Sequence, residues 1–170
     1  MTNTKYRTIS VLVANEAGVL SRISGLFSGR GYNIESLTVA PCLDNEFSRI
    51  TLVTTGDEKV IEQITKQLNR LISTLKVVDL TTEDAIECEL ILCKITARDE
   101  DRSEILRIAE IFNAKIIDVT HKSYTLQAYG DERQIRSLIE LLRPLGIKEL
   151  VRSGKVAISR ENQFQSIKNM

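Results

Sequence analysis

Few side chains in this sequence combine the residue types and spacing that catalysis needs. The single histidine, His121, stands three residues after Asp118 between two predicted strands, and we interpret it as a turn residue rather than as half of a catalytic pair. Cys42, Cys88 and Cys93 form no CxxC pair, which argues against a zinc ribbon or a disulfide framework and favours reduced, buried thiols. One histidine cannot build a multi-histidine metal site. We therefore expect no catalytic residue and no metal site in this chain.

The residues best suited to chemistry are those that could bind a small anion. Residues 15–22 (NEAGVLSR) join a strand directly to an amphipathic helix, whose first backbone N–H groups lack partners. Gly18 removes a side chain at that point, and Asn15 offers an acceptor and donors beside it, which suits an amino-acid carboxylate or ammonium group. Asn33 begins the next strand. The alternative is purely structural, with Asn15 as a helix cap and Asn33 as a turn residue.

The composition excludes further classes of protein. Lysine plus arginine and aspartate plus glutamate both number 23, so the chain lacks the net positive charge typical of nucleic-acid binding. Hydrophobic residues make up 42%, enough for a packed core, yet no apolar run reaches the roughly 18 residues of a membrane span. The first residues are polar and lack the apolar core of a signal peptide. We expect a protein that is not secreted, in the bacterial cytoplasm or in the plastid stroma if plastid-encoded.

The elements that must position these residues form a β-α-β-β-α-β unit that occurs twice. Residues 51–71 and 125–145 are identical at 8 of 21 positions, including a Gly-Asp-Glu turn, although any capped helix start favours those three residues. Alternating and helical apolar spacings predict four strands and two helices in the first half, at residues 7–13, 33–40, 49–55 and 77–80, and at 19–27 and 60–75. They predict five strands and two helices in the second half, at residues 89–96, 115–119, 123–129, 147–151 and 155–158, and at 105–112 and 135–142.

This order predicts an α+β protein of two tandem ferredoxin-like (βαββαβ) domains. We place the first domain at residues 1–80, a polar linker at 81–87, the second domain at 88–158 and a polar tail at 159–170. The helices lie on one face of each sheet, so we expect side-by-side association to cover the other face and the edges. The first domain's central strands lack the aromatic residues with which such sheets stack RNA bases.

Residues 15–41, NEAGVLSRISGLFSGRGYNIESLTVAP, resemble the opening of an ACT domain. Within them, GYNIESLTVAP (31–41) is similar to one family, the regulatory small subunits of acetolactate synthase, also called acetohydroxyacid synthase. The similarity continues through GDEKVIEQITKQLNRL, AKIIDV and VRSG. It implies that the first domain is an ACT domain and that the chain is a non-catalytic subunit of a transferase.

The resemblance also implies partners and a role. The chain would activate a thiamine-diphosphate-dependent catalytic large subunit and confer feedback inhibition in the biosynthesis of valine, leucine and isoleucine. Thiamine diphosphate, Mg²⁺ and FAD are expected on that large subunit, and no cofactor is expected in this chain. The alternative is a free-standing ACT-domain amino-acid sensor that regulates a different enzyme or transcription; the 31–41 motif favours the small-subunit family.

The resemblance places the effector, expected to be valine with leucine or isoleucine as alternatives, between the ACT domains of a homodimer. One protomer would provide Asn15, Gly18, Val19 and Leu20. The other would provide Asn33 and Ile34, with Ala40 near the pocket. The helix-start amides would bind the carboxylate, the asparagine side chains the polar groups, and the branched apolar residues the isopropyl group.

Overall fold

A computed structural model describes residues 6–160, and it builds the first of two units around a four-stranded antiparallel sheet. The strand order is β2-β3-β1-β4, so β2 and β4 form the edges. In chain order the elements are β1 (Tyr6–Ala14), α1 (Val19–Ser28), β2 (Ile34–Pro41), β3 (Phe47–Thr55), α2 (Glu58–Leu68) and β4 (Thr74–Asp79). The order β-α-β-β-α-β is the one that the sequence predicts.

Both helices of the first unit cover the same face of its sheet. Ile9 and Val11 of β1 point toward the helices and are fully buried, as the period-two alternation of the strand predicts. They pack in one cluster with Ile23 of α1 and Ile64 of α2. This apolar layer fixes the start of α1, because the helix follows β1 after only four residues.

The opposite face of the first sheet carries a row of smaller residues. The row consists of Thr38, Thr51, Ser10 and Val78, one from each strand in the order β2-β3-β1-β4. Ser10 and Thr51 are buried even though no helix of this unit covers that face. Some other part of the chain must therefore shield it.

The end of the last strand provides part of that shield. Thr38 donates its hydroxyl to the carbonyl of Lys155 at 3.0 Å, and the N–H of Lys155 donates to Ser36 Oγ at 3.1 Å. Ala157 packs with Val78 of β4 in a small apolar cluster. Residues 155–160, which belong to the first unit, thus contact both edges of the row. This face is covered in part by the chain itself, where the sequence predicts association with a second copy.

The second unit repeats the architecture of the first. Its sheet has the order β6-β7-β5-β8, which corresponds strand by strand to the first sheet. The elements are β5 (Ala85–Thr96), α3 (Arg102–Ile111), β6 (Lys115–Val119), β7 (Ser123–Gly130), α4 (Glu132–Leu142), a 3-10 turn (Arg143–Leu145) and β8 (Ile147–Ser159). The prediction of two ferredoxin-like units is therefore confirmed.

The repeated Gly-Asp-Glu turns have the same physical basis in both units. Asp57 accepts a hydrogen bond from the N–H of Val60, and Asp131 forms a reciprocal capping box with Gln134. A Cβ atom at the preceding glycine would lie 2.7 Å from the Val60 side chain in the first unit and 2.6 Å from the Gln134 side chain in the second. The contact is more restrictive at Gly56, where it involves both Cγ1 and Cβ of the short Val60 side chain, than at Gly130, where it involves the flexible end of Gln134.

Helix α2 is shorter than its apolar spacing predicts. The spacing continues to Leu75, but the helix ends at Leu68. Leu71 lies in the following turn, where its N–H donates to the carbonyl of Leu68, and it still packs on the core; Leu75 lies in β4 and is exposed. An apolar residue in a tight turn can reach the core as a helical one does, so the pattern does not mark the helix end.

The last strand and the boundaries of the units also differ from the sequence predictions. The sequence predicts separate strands at 147–151 and 155–158, but β8 is one strand from Ile147 to Ser159, and Gly154 within it has φ of 82°. Strand β5 begins at Ala85, inside the predicted linker 81–87. The second unit ends at Gly154 rather than 158. Of the predicted tail, Ser159 ends β8 and Arg160 bonds to Asp84, while residues 161–170 lie outside the described residues.

Candidate functional site

Helix α1 begins without a side-chain cap. Gly18 is its N-cap in the left-handed conformation, with φ of 85°, which a residue with a side chain adopts only with strain. Within residues 6–160 the backbone N–H groups of Leu20 and Ser21 have no hydrogen-bond partner. A Cβ atom at Gly18 would meet no other atom within 4 Å, so the space beside these amides is open. The geometry is that of an anion site at a helix start.

The charge distribution around α1 also favours an anion. The other three helices each begin with an aspartate N-cap and a glutamate in the first turn, namely Asp57 and Glu58, Asp101 and Glu104, and Asp131 and Glu132. The first turn of α1 has no acidic residue. Arg22 follows one turn later, and its Nη1 donates to Ser73 Oγ at 3.0 Å. A ligand carboxylate would thus supply the negative charge that the helix start lacks.

Asn15 is held beside this helix start by the loop between β2 and β3. Its backbone N–H donates to the carbonyl of Glu46 at 2.8 Å, and its Nδ2 donates to the carbonyl of Asn45 at 2.9 Å. Because Gly18 is the N-cap and no side chain caps α1, Asn15 is not the helix cap of the structural alternative. Its Oδ1 makes no hydrogen bond within residues 6–160, so it can accept one from a ligand.

Asn33 and Ile34 lie at the start of β2. Asn33 donates from Nδ2 to Glu35 Oε1 at 2.6 Å, and its carbonyl accepts from Thr54 Oγ1 at 2.6 Å. These bonds hold the turn that enters the strand. Ile34 is half-buried and packs on the apolar core of the first unit. Val19 of α1 is buried and Leu20 is exposed. The site residues therefore combine fixed polar groups with branched apolar ones.

A single protomer does not bring all the predicted site residues together. Ala40 is level with Leu12, because both lie opposite Arg49, and it shares the end of the sheet at which α1 begins. Ile34 is level with Arg7, at the other end of the sheet. The six steps of strand between Ile34 and Ala40 span roughly 20 Å at about 3.3 Å per residue. The predicted site is thus divided into two halves within one chain.

The remaining reactive residues are the three cysteines and the histidine; of the cysteines only Cys93 is buried, whereas Cys42 and Cys88 are partly exposed, contrary to the prediction of buried thiols. Burial raises the pKa of the Cys93 thiol to about 11, so it stays protonated near neutral pH and is no nucleophile. His121 lies in the exposed turn between β6 and β7, where its carbonyl accepts from Arg102 at 3.4 Å. No three potential metal ligands cluster within residues 6–160. Among the described residues, no helix is both long enough and apolar enough to cross a membrane.

Two features of the site have no signal in the sequence. The carbonyl groups that hold Asn15 belong to Asn45 and Glu46, and any residue type supplies a carbonyl. The bond that fixes Arg22 comes from Ser73, 51 residues away, in the turn before β4. The charge of Arg22 could have been noted from its position in the first turns of α1, but its partner could not.

Comparisons with known proteins agree across the chain. Residues 9–76 match the family model of the AHAS small subunit-like ACT domain, and residues 88–161 match that of the small subunit of acetolactate synthase. The probable acetolactate synthase small subunit of Archaeoglobus fulgidus is 49% identical over 156 residues, which cover 92% of this chain and 98% of that protein. The acetolactate synthase isozyme 3 small subunit of Salmonella typhimurium is 50% identical over 159 residues, covering 93% and 98%.

A solved structure agrees with these sequences. The crystal structure of the acetolactate synthase small subunit from Thermotoga maritima superposes with a TM-score of 0.84 at 36% identity, covering 93% of this chain and 99% of that one. The resemblance that the 31–41 motif carries is confirmed by both the sequence and the structure comparisons. The chain belongs to the family of acetolactate synthase small subunits.

Proposed function

We propose that the chain is the regulatory subunit of an acetolactate synthase. It activates a catalytic large subunit and confers feedback inhibition by valine, bound between the first units of two copies. Relatives that share 49% and 50% of their residues with it are named as small subunits, and a small subunit implies a large one. The matched ACT domain supports an amino-acid effector. Thiamine diphosphate, Mg²⁺ and FAD belong, in this proposal, to the large subunit.

The observation that carries the dimer proposal is the division of the site along β2. Within residues 6–160, β2 is an edge strand that pairs only with β3. Antiparallel pairing of β2 with β2 of a second copy about a two-fold axis would bring the start of one strand beside the end of the other. Asn33 and Ile34 of one copy would then meet Ala40 and the α1 start of its partner. Two equivalent sites would form per dimer.

Each part of valine has a group of matching chemistry in these halves. The N–H groups of Leu20 and Ser21 would bind the carboxylate, with room provided by Gly18. The free Oδ1 of Asn15 would accept from the ammonium group. Val19 and Ile34 are the branched neighbours for the isopropyl group. Leucine and isoleucine carry the same polar groups, so they are the competing effectors.

Inhibition follows from linkage between valine binding and the activation of the large subunit. Valine bound across the dimer can act only by favouring one arrangement of the dimer over another, in proportion to its differential affinity. We propose that the favoured arrangement activates the large subunit less. The valine-free arrangement then corresponds to the activating one.

Reconstitution with a purified acetolactate synthase large subunit tests this function. Acetolactate formation should rise when the chain is added, and valine should inhibit only the reconstituted enzyme. Asn69→Ala, an exposed asparagine at the end of α2, is a control that should leave both effects intact. A chain that neither binds the large subunit nor raises its turnover would rule the proposal out. Valine binding without any effect on turnover would favour the free-standing sensor.

A further inference from the structure

Residues 155–160, which belong to the first unit, lie over the sheet face that the helices of this unit leave open, and we call them the strap. Thr38 Oγ1 donates to the carbonyl of Lys155 at 3.0 Å, and the N–H of Lys155 donates to Ser36 Oγ at 3.1 Å. We call these two bonds the latch. Because they involve only backbone groups of Lys155, the latch does not depend on the side chain at that position.

The latch lies between the two halves of the proposed valine site. Ser36 and Thr38 are in the middle of β2, with Ile34 at its start and Ala40 near its end. The pairing of β2 with β3 shifts register between Ile34 and Ser36, so regular pairing alone does not fix the start of the strand. In the proposed dimer, both sites form only if the span from Ile34 to Ala40 matches in the two copies. The latch helps to fix that span.

The strap has little apolar surface to hold it in place. Its inward side chains are small, namely Ala157, which packs on β4, and Ser159, two residues later on the same side. The larger side chains of Val156 and Ile158 are about half-exposed. The hydroxyl groups of Ser10, in the covered row, and of Ser159 are buried and make no hydrogen bond among the residues that the structure describes. Each such hydroxyl disfavours the closed arrangement.

The latch can open without leaving its own polar groups unpaired. The Thr38 hydroxyl has a second acceptor, the carbonyl of Thr51, at 3.4 Å. Ser36 is already partly exposed, so its hydroxyl and the backbone of Lys155 would bond to water. Gly154, with φ of 82°, directly precedes the strap and provides a backbone hinge. The closed and open arrangements are therefore close in free energy.

We propose that the strap is releasable and that its latched form is the form that binds valine. This inference rests on the proposed function and describes how that site is regulated. The closed latch holds the two ends of β2 in the arrangement that the dimer sites need, so less ordering of the strand opposes binding. By linkage, valine in turn favours the latched strap. Ser36 and Thr38 act as positioning residues and do not contact the ligand.

Hydrogen exchange of the backbone amides of residues 155–159, in the purified full-length chain, tests the proposal. Valine should slow this exchange several-fold in the parent chain. Thr38→Val keeps the shape of the side chain but removes the hydroxyl. It should speed the exchange several-fold without valine and weaken valine binding about two- to tenfold in a calorimetric titration. Thr38→Ser keeps the hydroxyl and should bring both values back toward those of the parent chain.

Ser10→Ala is the matched control for Thr38→Val. It removes a hydroxyl from the same buried row, but that hydroxyl has no hydrogen-bond partner among the described residues. Removal of an unpaired buried hydroxyl should leave the strap as stable as before or more stable. Exchange of residues 155–159 should therefore be unchanged or slower, and valine should bind at least as tightly as in the parent chain.

Two results would overturn this inference and leave the proposed function intact. In the first, valine binds the parent chain and inhibits the reconstituted enzyme, but exchange of residues 155–159 does not change. In the second, Thr38→Val and Ser10→Ala have equal effects on exchange and on valine affinity. A parent chain that bound no valine in the calorimeter would refute the proposed valine site and the strap coupling together. The two kinds of failure are thus distinguishable.

Discussion

Gly18→Asp should abolish valine inhibition while activation of the large subunit is retained. Gly18 is the N-cap of α1, next to the N–H groups of Leu20 and Ser21 that have no partner within residues 6–160, and a Cβ atom there would point into open space. An aspartate at this position would place a fixed negative charge beside those amides. It would therefore occupy the place of the ligand carboxylate and repel it.

The expected loss of valine affinity has two contributions, a charge repulsion and the loss of hydrogen bonds. Two like charges about 5 Å apart repel by about 3 kcal/mol at an effective dielectric constant of about 20. Hydrogen bonds to a charged ligand contribute about 1.5–3 kcal/mol. Because about 1.4 kcal/mol corresponds to a tenfold change in affinity, either loss alone should raise the valine concentration for half-inhibition at least about 10-fold, and repulsion alone by about 100-fold.

Gly18→Ala distinguishes the effect of the added charge from the effect of the strained backbone conformation. Both variants carry a side chain at φ of 85°, so both should lose about 1–2 kcal/mol of folding stability. The alanine Cβ meets no atom of the chain within 4 Å but takes up room beside the amides without adding charge, so Gly18→Ala should weaken valine binding clearly less than Gly18→Asp does. Acetolactate formation by the reconstituted enzyme, titrated with valine, measures both. Unchanged inhibition in Gly18→Asp, or equal loss in the two variants, would refute the reasoning.

Three further predictions concern a second residue of the valine site and two residues outside it. Asn15→Ala should weaken valine binding by about 1.5–3 kcal/mol in a calorimetric titration, because the ligand ammonium loses its acceptor; an unchanged Kd would exclude Asn15 from the site. Arg152→Ala should lower the free energy of unfolding by about 1–2 kcal/mol in a denaturant titration, because Glu89, 6% exposed and bound to both Nε and Nη2 of Arg152, is left unpaired, while the 51% exposed Arg152 side chain keeps the effect below that of a fully buried pair; a loss under about 0.5 kcal/mol would contradict this. Because the pKa of Cys93 is raised in the folded chain, the folded chain binds more protons than the unfolded one between pH about 9 and about 11. The free energy of unfolding should therefore fall as the pH rises through that window. An equal dependence of this free energy on pH in Cys93→Ala would contradict the prediction.

Much of the fold could be predicted from local signals. Period-two alternation marked the central strand β1, and the aspartate caps of α2 and α4 marked the start of each helix. The predictions that were wrong concern elements that depend on contacts between residues far apart in the sequence. Strand β8 continues through Gly154, and the residues after it bond to Ser36 and Thr38, which lie more than 100 residues earlier. No periodicity reports such contacts.

The candidate site was predictable in its residue types and less so in its geometry. Gly18 and Asn15 stood out because an uncapped helix start after a strand suits an anion. Asn15 is held because its Nδ2 donates to the carbonyl of Asn45, a group that every residue type has, and Arg22 is held because it donates to Ser73, 51 residues away. The roughly 20 Å that separate the two halves follow only from the strand register.

The central claim is that each valine site combines the α1 start of one copy with the β2 start of the other. Heterodimers with Gly18→Asp in one copy and Asn33→Ala in its partner test it directly. Such a dimer has one site with both changes and one with neither, so purified heterodimers should bind one valine per dimer with the parent affinity, while each homodimeric variant binds poorly. If each site lay within one copy, both sites of the heterodimer would carry a change and parent-affinity binding would be absent.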